Sequence, residues 1–269
     1  MIEYDSAVRR PPPIEEFIEL IRFRDLTVQV IKRDVVARYK RSVLGVAWTL
    51  LNPLAMMVIL TLIFSELFAA PAFPVYVLSG LLVWTFFAQT TTAAMTQLIQ
   101  NRGLLHHIYV PRTIFAVAAI GTGLVNLVIS LVPLALIMFF VHSVFGPALM
   151  LLPVAILMLA LFALGVGMLL STLAVYFPDV QETYQIVLTA WMYLTPIFYP
   201  EDILPESYRW WLLNLNPLYH LMRLFRVPIY DGHWPALWEV GVASGVACLA
   251  ALVGWIVLAQ RADEIVYRV

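Results

Sequence analysis

The sequence predicts an all-α fold. It reads as a polytopic membrane protein with six transmembrane helices, an N-terminal amphipathic interface helix and short re-entrant outer-face helices before the last span. Three observations predict it. The 269 residues are 62% hydrophobic and only 12% charged, with a mean hydropathy of +0.88, whereas soluble domains carry about 25% charged residues. Residues 42–65, 67–101 and 113–178 contain no Asp, Glu, Lys or Arg. A bilayer core about 30 Å thick takes roughly 20 helical residues, so the last of these runs must hold two spans. The runs also lack the apolar–polar alternation over about 10 residues that marks a membrane β-barrel.

The elements follow in order. Pro11-Pro12-Pro13 opens a segment, residues 14–31, in which Ile14, Phe17, Ile18, Ile21 and Val28 recur at helical spacing. Glu15 and Glu16 sit where the positive end of the helix dipole favours them. Too polar to span, the segment reads as an amphipathic helix lying in the membrane interface or on a partner protein. Six spans are expected at residues 44–66, 75–98, 114–141, 149–173, 185–199 and 236–259. Trp48 reads as an interface anchor of the first, and Asn52-Pro53 as a kink within it, because proline removes a helix hydrogen bond. His142-Ser143 and Gly146-Pro147 separate the third span from the fourth. The fifth is short and interrupted by Thr195-Pro196 and Pro200. Beyond it, Pro200, Pro205, Pro217 and Pro228 leave apolar pieces too short to cross, which fit short re-entrant or interfacial helices. Trp210, Trp211, Trp234 and Trp238 would supply an aromatic belt there.

Lys and Arg orient the chain. With the N-terminus in the cytoplasm, residues 1–43, 99–113, 174–184 and 260–269 lie on that side and carry every Lys and Arg except Arg209, Arg223 and Arg226. This is the positive-inside bias, and it places both termini in the cytoplasm. Residues 1–34 lack the apolar core of a signal peptide. The single Cys248 excludes an internal disulfide and reads as a thiol packed on lipid or on another helix.

Catalytic motifs are missing. There is no HExxH, no paired aspartates for a magnesium diphosphate, no nucleophile elbow and no GxxxxGK[ST] phosphate loop. The chain is therefore not expected to be an enzyme by itself, nor to hold a metal or cofactor. His106 and His107 diverge by about 100° on a helix and read as polar residues of a cytoplasmic loop. The spans also lack the midplane acidic residue that ion-coupled carriers use, so energy for uphill transport would come from elsewhere. Aromatic side chains at Phe64, Phe68, Trp84, Phe87, Trp191, Tyr193 and Tyr199 are candidates for a translocation path, because aromatic faces stack on the apolar faces of sugar rings. Lipid contact and helix packing are the alternative for each. Arg223 and Arg226 are candidates for holding an anion at the outer face, or for snorkelling to headgroups.

RYKRSVLGVAWTLLNPLAMMVILTLIFSELF, beginning at Arg38, closely resembles the first span of the ABC-2 type permeases that export O-antigen, teichoic acid and related polysaccharides. LSGLLVWTFFAQT, NRGLLHHIYVPR, YFPDVQETYQIVLTAWMYLTPIFYP and NPLYHLMRLFRVPIYDG are similar to the same family, with Pro178 where the family commonly has Arg. The resemblance covers about residues 34–262. It implies an ABC-2 transmembrane domain over those residues, preceded by a cytoplasmic segment with the interface helix (1–33) and followed by a cytoplasmic tail (263–269). It further implies a homodimer forming a channel in the bacterial inner membrane, driven by two copies of a separate ATPase subunit that holds ATP and magnesium. Asn101, Arg102, His106, His107 and Arg112 would belong to a coupling loop on that ATPase, with Asp179 and Glu182 as a second contact. The substrate would be an undecaprenyl-diphosphate-linked glycan, O-antigen foremost, its headgroup entering near Arg38, Lys40 and Arg41. Teichoic-acid, capsule, drug or lipid export are the alternatives within transport. An integral-membrane glycosyl- or prenyltransferase would need an acidic cluster that the sequence lacks, and a membrane scaffold would have no ATPase partner. Nothing in the sequence points to nucleic acid.

Overall fold

The computed structural model describes residues 11–40, 47–68, 72–101, 110–143 and 145–268. Among them the secondary structure is helical throughout, with no strand. Arg41, Arg102, His106 and His107, and the side chain of Trp48, lie outside the described residues.

Two helices precede the first long apolar one: α1 (Pro12–Arg22) and α2 (Arg24–Tyr39). The expected single amphipathic helix is thus broken at Phe23, and α2 continues past residue 33. Only α1 is amphipathic; it exposes Ile14, Phe17, Ile18 and Ile21 on one side and buries Glu16 on the other. Then follow α3 (Ala47–Phe68), α4 (Phe73–Gln100), α5 (Thr113–Phe140), a 3₁₀ turn (Pro147–Leu151), α6 (Leu152–Tyr176) and α7 (Val180–Leu194). A 3₁₀ turn (Glu201–Ile203), α8 (Glu206–Asn214), α9 (Pro217–Arg226) and a π turn (Val227–Asp231) lead into α10 (Leu237–Arg268).

Five helical stretches are long and apolar enough to cross a membrane: Leu50–Phe68, Phe73–Gln100, Thr113–Phe140, Pro147–Tyr176 and Leu237–Ala262. At 15 residues α7 falls short of that length, because Thr195-Pro196 ends it.

Helix α4 is the centre of the bundle. It is apolar on nearly all sides and is correspondingly buried, packing on α5, α6 and α3. The most extensive pairing joins α6 to α10, where Gly165 and Gly254 face each other. A Cβ on Gly254 would lie 2.2 Å from the Gly165 carbonyl oxygen, and one on Gly165 would lie 2.2 Å from the Ala250 carbonyl. Small residues at such crossings let helix backbones approach where no hydrophobic effect drives them together. Helix α3 is the opposite case: it packs sparsely and exposes Leu62, Ile63 and Leu67. The chain reverses between these helices so that two ends of the bundle collect different chemistry. At one end lie α1, α2, the end of α4 and the start of α5; at the other lie α8, α9, the π turn and the start of α4.

Candidate functional site

At the first end, α2 lies along α5 and a cleft of about 350 Å³ opens between α2, α4 and α5. Helical spacing builds its walls. Gln89, Ala93, Gln97 and Gln100 recur along one face of α4, a stripe about 16 Å long at 1.5 Å per residue. Ala119, Thr122, Gly123 and Asn126 face them from α5. Gly123 permits this approach, since a Cβ there would come within 2.0 Å of Thr90 Cγ2. At the mouth, Asp34 accepts from Arg33 at 2.9 Å and from Gln97 Nε2 at 2.8 Å, which ties α2 to α4. Arg38 lines the same mouth and is exposed, as is Lys40. Two buried polar atoms of the cleft, Gln97 Oε1 and Thr122 Oγ1, have no hydrogen-bond partner. Asn101 closes α4 by donating from Nδ2 to the Gln97 carbonyl at 2.8 Å.

Arg112, from the expected coupling loop, turns inward at the start of α5. It lies 3.7 Å from Glu16 of α1, and Thr113 Oγ1 donates to the same carboxylate at 3.0 Å. Trp255 Nε1 of α10 donates to the Pro13 carbonyl at 3.0 Å, so the N-terminal half of α1 is docked on both α5 and α10. Burial raises the Glu16 carboxyl above its ordinary value of 4.5, against the opposing pull of Arg112. The folded chain therefore holds that proton to higher pH than the unfolded chain. The contribution of this group to docking is fully present below about 4.5 and is lost as pH rises through the folded value. Arg112→Met removes the opposing charge and extends that loss. Removing one member of a buried pair costs about 3–5 kcal/mol, less whatever protonation of Glu16 recovers. Protection of the α1 amides, as the exchange rate relative to that of the unfolded chain at the same pH, should then fall in Arg112→Met on going from pH 5 to pH 8, and Glu16→Gln in the same chain should restore it. Asp179 and Glu182, by contrast, are exposed at the turn between α6 and α7.

The other end is a polar knot. Arg226 of α9 is buried, donating to the Pro196 carbonyl at 2.8 Å, the Ile197 carbonyl at 2.9 Å and Ser79 Oγ at 3.4 Å. Its guanidinium stacks 3.8 Å from the Tyr76 ring centroid. Tyr76 itself donates to the Tyr199 carbonyl at 2.9 Å. Asn216 caps α9 by accepting from Leu218 N at 3.1 Å, accepts from Trp191 Nε1 at 2.8 Å, and donates to Thr195 Oγ1 at 2.9 Å. Arg223 pairs with Glu239 at 2.7 Å and Glu201 at 3.4 Å, and Tyr219 donates to Glu201 at 2.8 Å. Burial, against the Arg223 bond, pushes the Tyr219 phenol up to about 12, so it remains a donor. Both arginines offered as outer anion sites thus have donors committed within the fold.

The aromatic candidates separate by burial. Trp84 and Phe87 are buried inside the chain, Phe87 stacking 5.5 Å from Phe162 and edge-on to Trp191 at 5.2 Å. Tyr193 is exposed, while Phe64, Phe68, Trp191 and Tyr199 are half-buried, with Phe64 stacked on Phe68 at 5.5 Å. The amide stripe of α4 was not among the sequence candidates. The i, i+8, i+11 spacing of Gln89, Gln97 and Gln100 was the available signal, masked by the apolar residues between. Glu16, Glu201 and Glu239 gave no local sign of these pairings, since their side-chain partners lie 16 to 97 residues away.

Sequence comparison places this geometry among known proteins. The chain is 32% identical over 221 residues to an O-antigen export system permease protein of Myxococcus xanthus, covering 81% of this chain and 85% of that protein. It is 27% identical to an O-antigen export system permease protein of Klebsiella pneumoniae, covering 77% of this chain and 81% of that one. It is also 27% identical to a polysialic acid transport protein of Escherichia coli, covering 75% and 80%. Residues 25–230 match the ABC-2 type transporter family, a span that runs from α2 through α9 to the π turn and includes the cleft and most of the polar knot, but not α1 or Glu239. The chain belongs to the ABC-2 type transporter family.

Proposed function

We propose that this chain is the transmembrane permease subunit of an ATP-driven exporter that moves a lipid-linked polysaccharide, lipopolysaccharide O-antigen foremost, from cytoplasm to periplasm. The observation that carries the reading is the match, over more than three quarters of the chain, to permeases named for O-antigen export. The absence of a phosphate loop from the sequence assigns ATP and magnesium to a partner ATPase, two copies of which drive two copies of this chain. Six spans are α3 to α7 and α10, with α7 completing its crossing through residues 195–199. The distribution of Lys and Arg puts the α1–α2 end, both termini and the residue 101–112 loop in the cytoplasm, and the polar knot outside, in a bacterial inner membrane. The exposed faces of α3 and α7 are where two copies meet around the path, with Phe64, Phe68, Tyr193 and Tyr199 available to a glycan. Capsule polysaccharide is the second reading, favoured by the similarity to the polysialic acid transport protein.

Co-purification with the ATPase encoded beside it, followed by assays of ATP hydrolysis and of surface glycan in a deletion strain, tests the proposal. A chain that recruits no ATPase and whose loss leaves surface glycans unchanged is not an exporter. Arg38, Lys40 and Arg41 together should meet the anionic headgroup. Their replacement by Gln should cut export severalfold while membrane insertion persists; normal export by that triple variant removes the collar from the substrate's route.

A further inference from the structure

The cleft between α2, α4 and α5 holds a chemistry that neither the fold nor the ion pairs use. Its walls are neutral amides and hydroxyls separated by small side chains, Ala93, Ala119 and Gly123. Thr122 is more than nine-tenths buried, yet its Oγ1 has no partner, and Gln97 spends its amide nitrogen on Asp34 while its Oε1 stays unpaired. Buried polar atoms normally find partners, so two unpaired ones within the walls of a single cleft, each closed off by its neighbours, point to side chains that turn toward a ligand. Thr122 both donates and accepts and Gln97 Oε1 accepts, a pairing that suits hydroxyl groups. The one carboxylate of the cleft, Asp34, is already engaged by Arg33 and Gln97, which disfavours a cation. At the mouth Arg38 is exposed and has no ion-pair partner among the described residues, leaving its guanidinium open for a phosphate.

The cleft is also the right size and closes at its far end. Its 350 Å³ falls within the roughly 300–1,000 Å³ of small-molecule sites. Beyond Gln89, Thr90, Gly123 and Asn126, which line both spaces, it narrows to about 30 Å³ beside Pro53, room for about one water. A ligand entering past Arg38 would therefore stop at Asn126. We propose that the cleft is a binding site for a phosphate-linked polyhydroxyl headgroup, its hydroxyls received between Gln97, Thr122 and Asn126 and its phosphate held by Arg38. Two sources share that chemistry: the sugar-phosphate head of a lipid-linked glycan and the glycerol-phosphate head of an anionic phospholipid. Naming the glycan as occupant rests on the exporter reading; occupancy of the cleft does not.

The test uses the full chain with Cys248→Ser and a reporter, Ala93→Cys, in the cleft wall, with Ala37→Cys at the mouth as a second reporter should the first perturb folding. The rate of alkylation by a small neutral maleimide is measured in nanodiscs of phosphatidylcholine, of phosphatidylcholine with phosphatidylglycerol, and of phosphatidylcholine with a polyprenyl-diphosphate-linked oligosaccharide. Alkylation should slow roughly tenfold where the cleft is filled, and Gln97→Leu with Asn126→Leu should abolish most of that protection, as expected for lost hydrogen bonds. Protection by the lipid-linked sugar alone assigns the site to the substrate, and protection by both lipids assigns it to phosphate headgroups in general. Equal rates in all three membranes overturn the proposal. So does protection that survives Gln97→Leu with Asn126→Leu and vanishes only in Arg38→Gln, which marks surface charge attraction. A chain whose cleft is protected but which supports no glycan export refutes the exporter reading and leaves the site standing.

Discussion

Arg226→Met should abolish the recovery of folded protein. The wild-type side chain ties three segments together: α9, the residues 196–197 that end α7, and Ser79 with Tyr76 of α4. Methionine fills similar space but leaves the Pro196 and Ile197 carbonyls without their donors, and each buried acceptor left unpaired costs about 1–3 kcal/mol. The lost stacking on Tyr76 adds about 1–2 kcal/mol. A summed loss of several kcal/mol exceeds half the stability of many domains, about 5–15 kcal/mol. Arg226→Lys should rescue little, because a point charge cannot reproduce a planar fork aimed at two carbonyls. Gly80→Ala should act through the same contact, since its Cβ would fall 2.2 Å from the Arg226 Nη2. The monodisperse fraction on size exclusion and the midpoint of detergent thermal denaturation measure all three. Wild-type behaviour of Arg226→Met would show that the arginine does not hold this end together.

Gly254→Val should separate α10 from α6. Its side chain would meet the Gly165 backbone, with the carbonyl oxygen at 2.2 Å from the Cβ alone. Backbone cannot rotate away as a side chain can, so the helices must part by more than an ångström along their longest contact. Overpacking costs about 1–3 kcal/mol and occasionally more, and a contact with backbone falls at the upper end. Gly165→Val should do the same from the other side, where the Ala250 carbonyl and the Ala251 nitrogen stand within 2.5 Å. Gly241→Ala and Gly245→Ala are the controls on the same helix, because nothing lies within 4 Å of a Cβ at either. They should be neutral or slightly stabilising, as expected when glycine is replaced in a helix. Cross-linking between cysteines placed on α6 and α10, together with thermal denaturation, distinguishes the two classes. Equal behaviour of all four variants would refute the close crossing.

Much of the architecture was legible in advance because it rests on local composition. Long uncharged runs announced α3 to α6 and α10, and the predicted span boundaries fall within a few residues of the observed helices, except that α10 runs on to Arg268, past the expected end at residue 259. The short pieces α8 and α9 followed from Pro200, Pro205, Pro217 and Pro228, which bound them. Less was legible at the sites. The break at Phe23 was hidden because no glycine or proline stands at the junction of α1 and α2, and only docking of α1 on α5 and α10 gives the two helices different directions to follow. Arg112 read as a surface loop cation because its partner, Glu16, is 96 residues away. Arg226 read as an outward anion ligand because its three-residue spacing from Arg223 says that they share a side of α9, without saying whether that side meets water or protein.

What the sequence determined by itself is the class of the protein: a helical membrane protein of the ABC-2 family, with most of its described cations at one end of the bundle. That information survives in one dimension because a bilayer tests each segment for length and charge separately, and a span must satisfy its own backbone within itself. The tertiary structure decided what the polar residues do. Whether Arg226 binds a ligand or a carbonyl, whether Arg112 faces a partner or Glu16, and whether Gln97 and Thr122 line a cleft depend on which helices meet. In an apolar surrounding a buried polar group is stable only beside a partner, and that partner is chosen by packing between segments far apart in the chain.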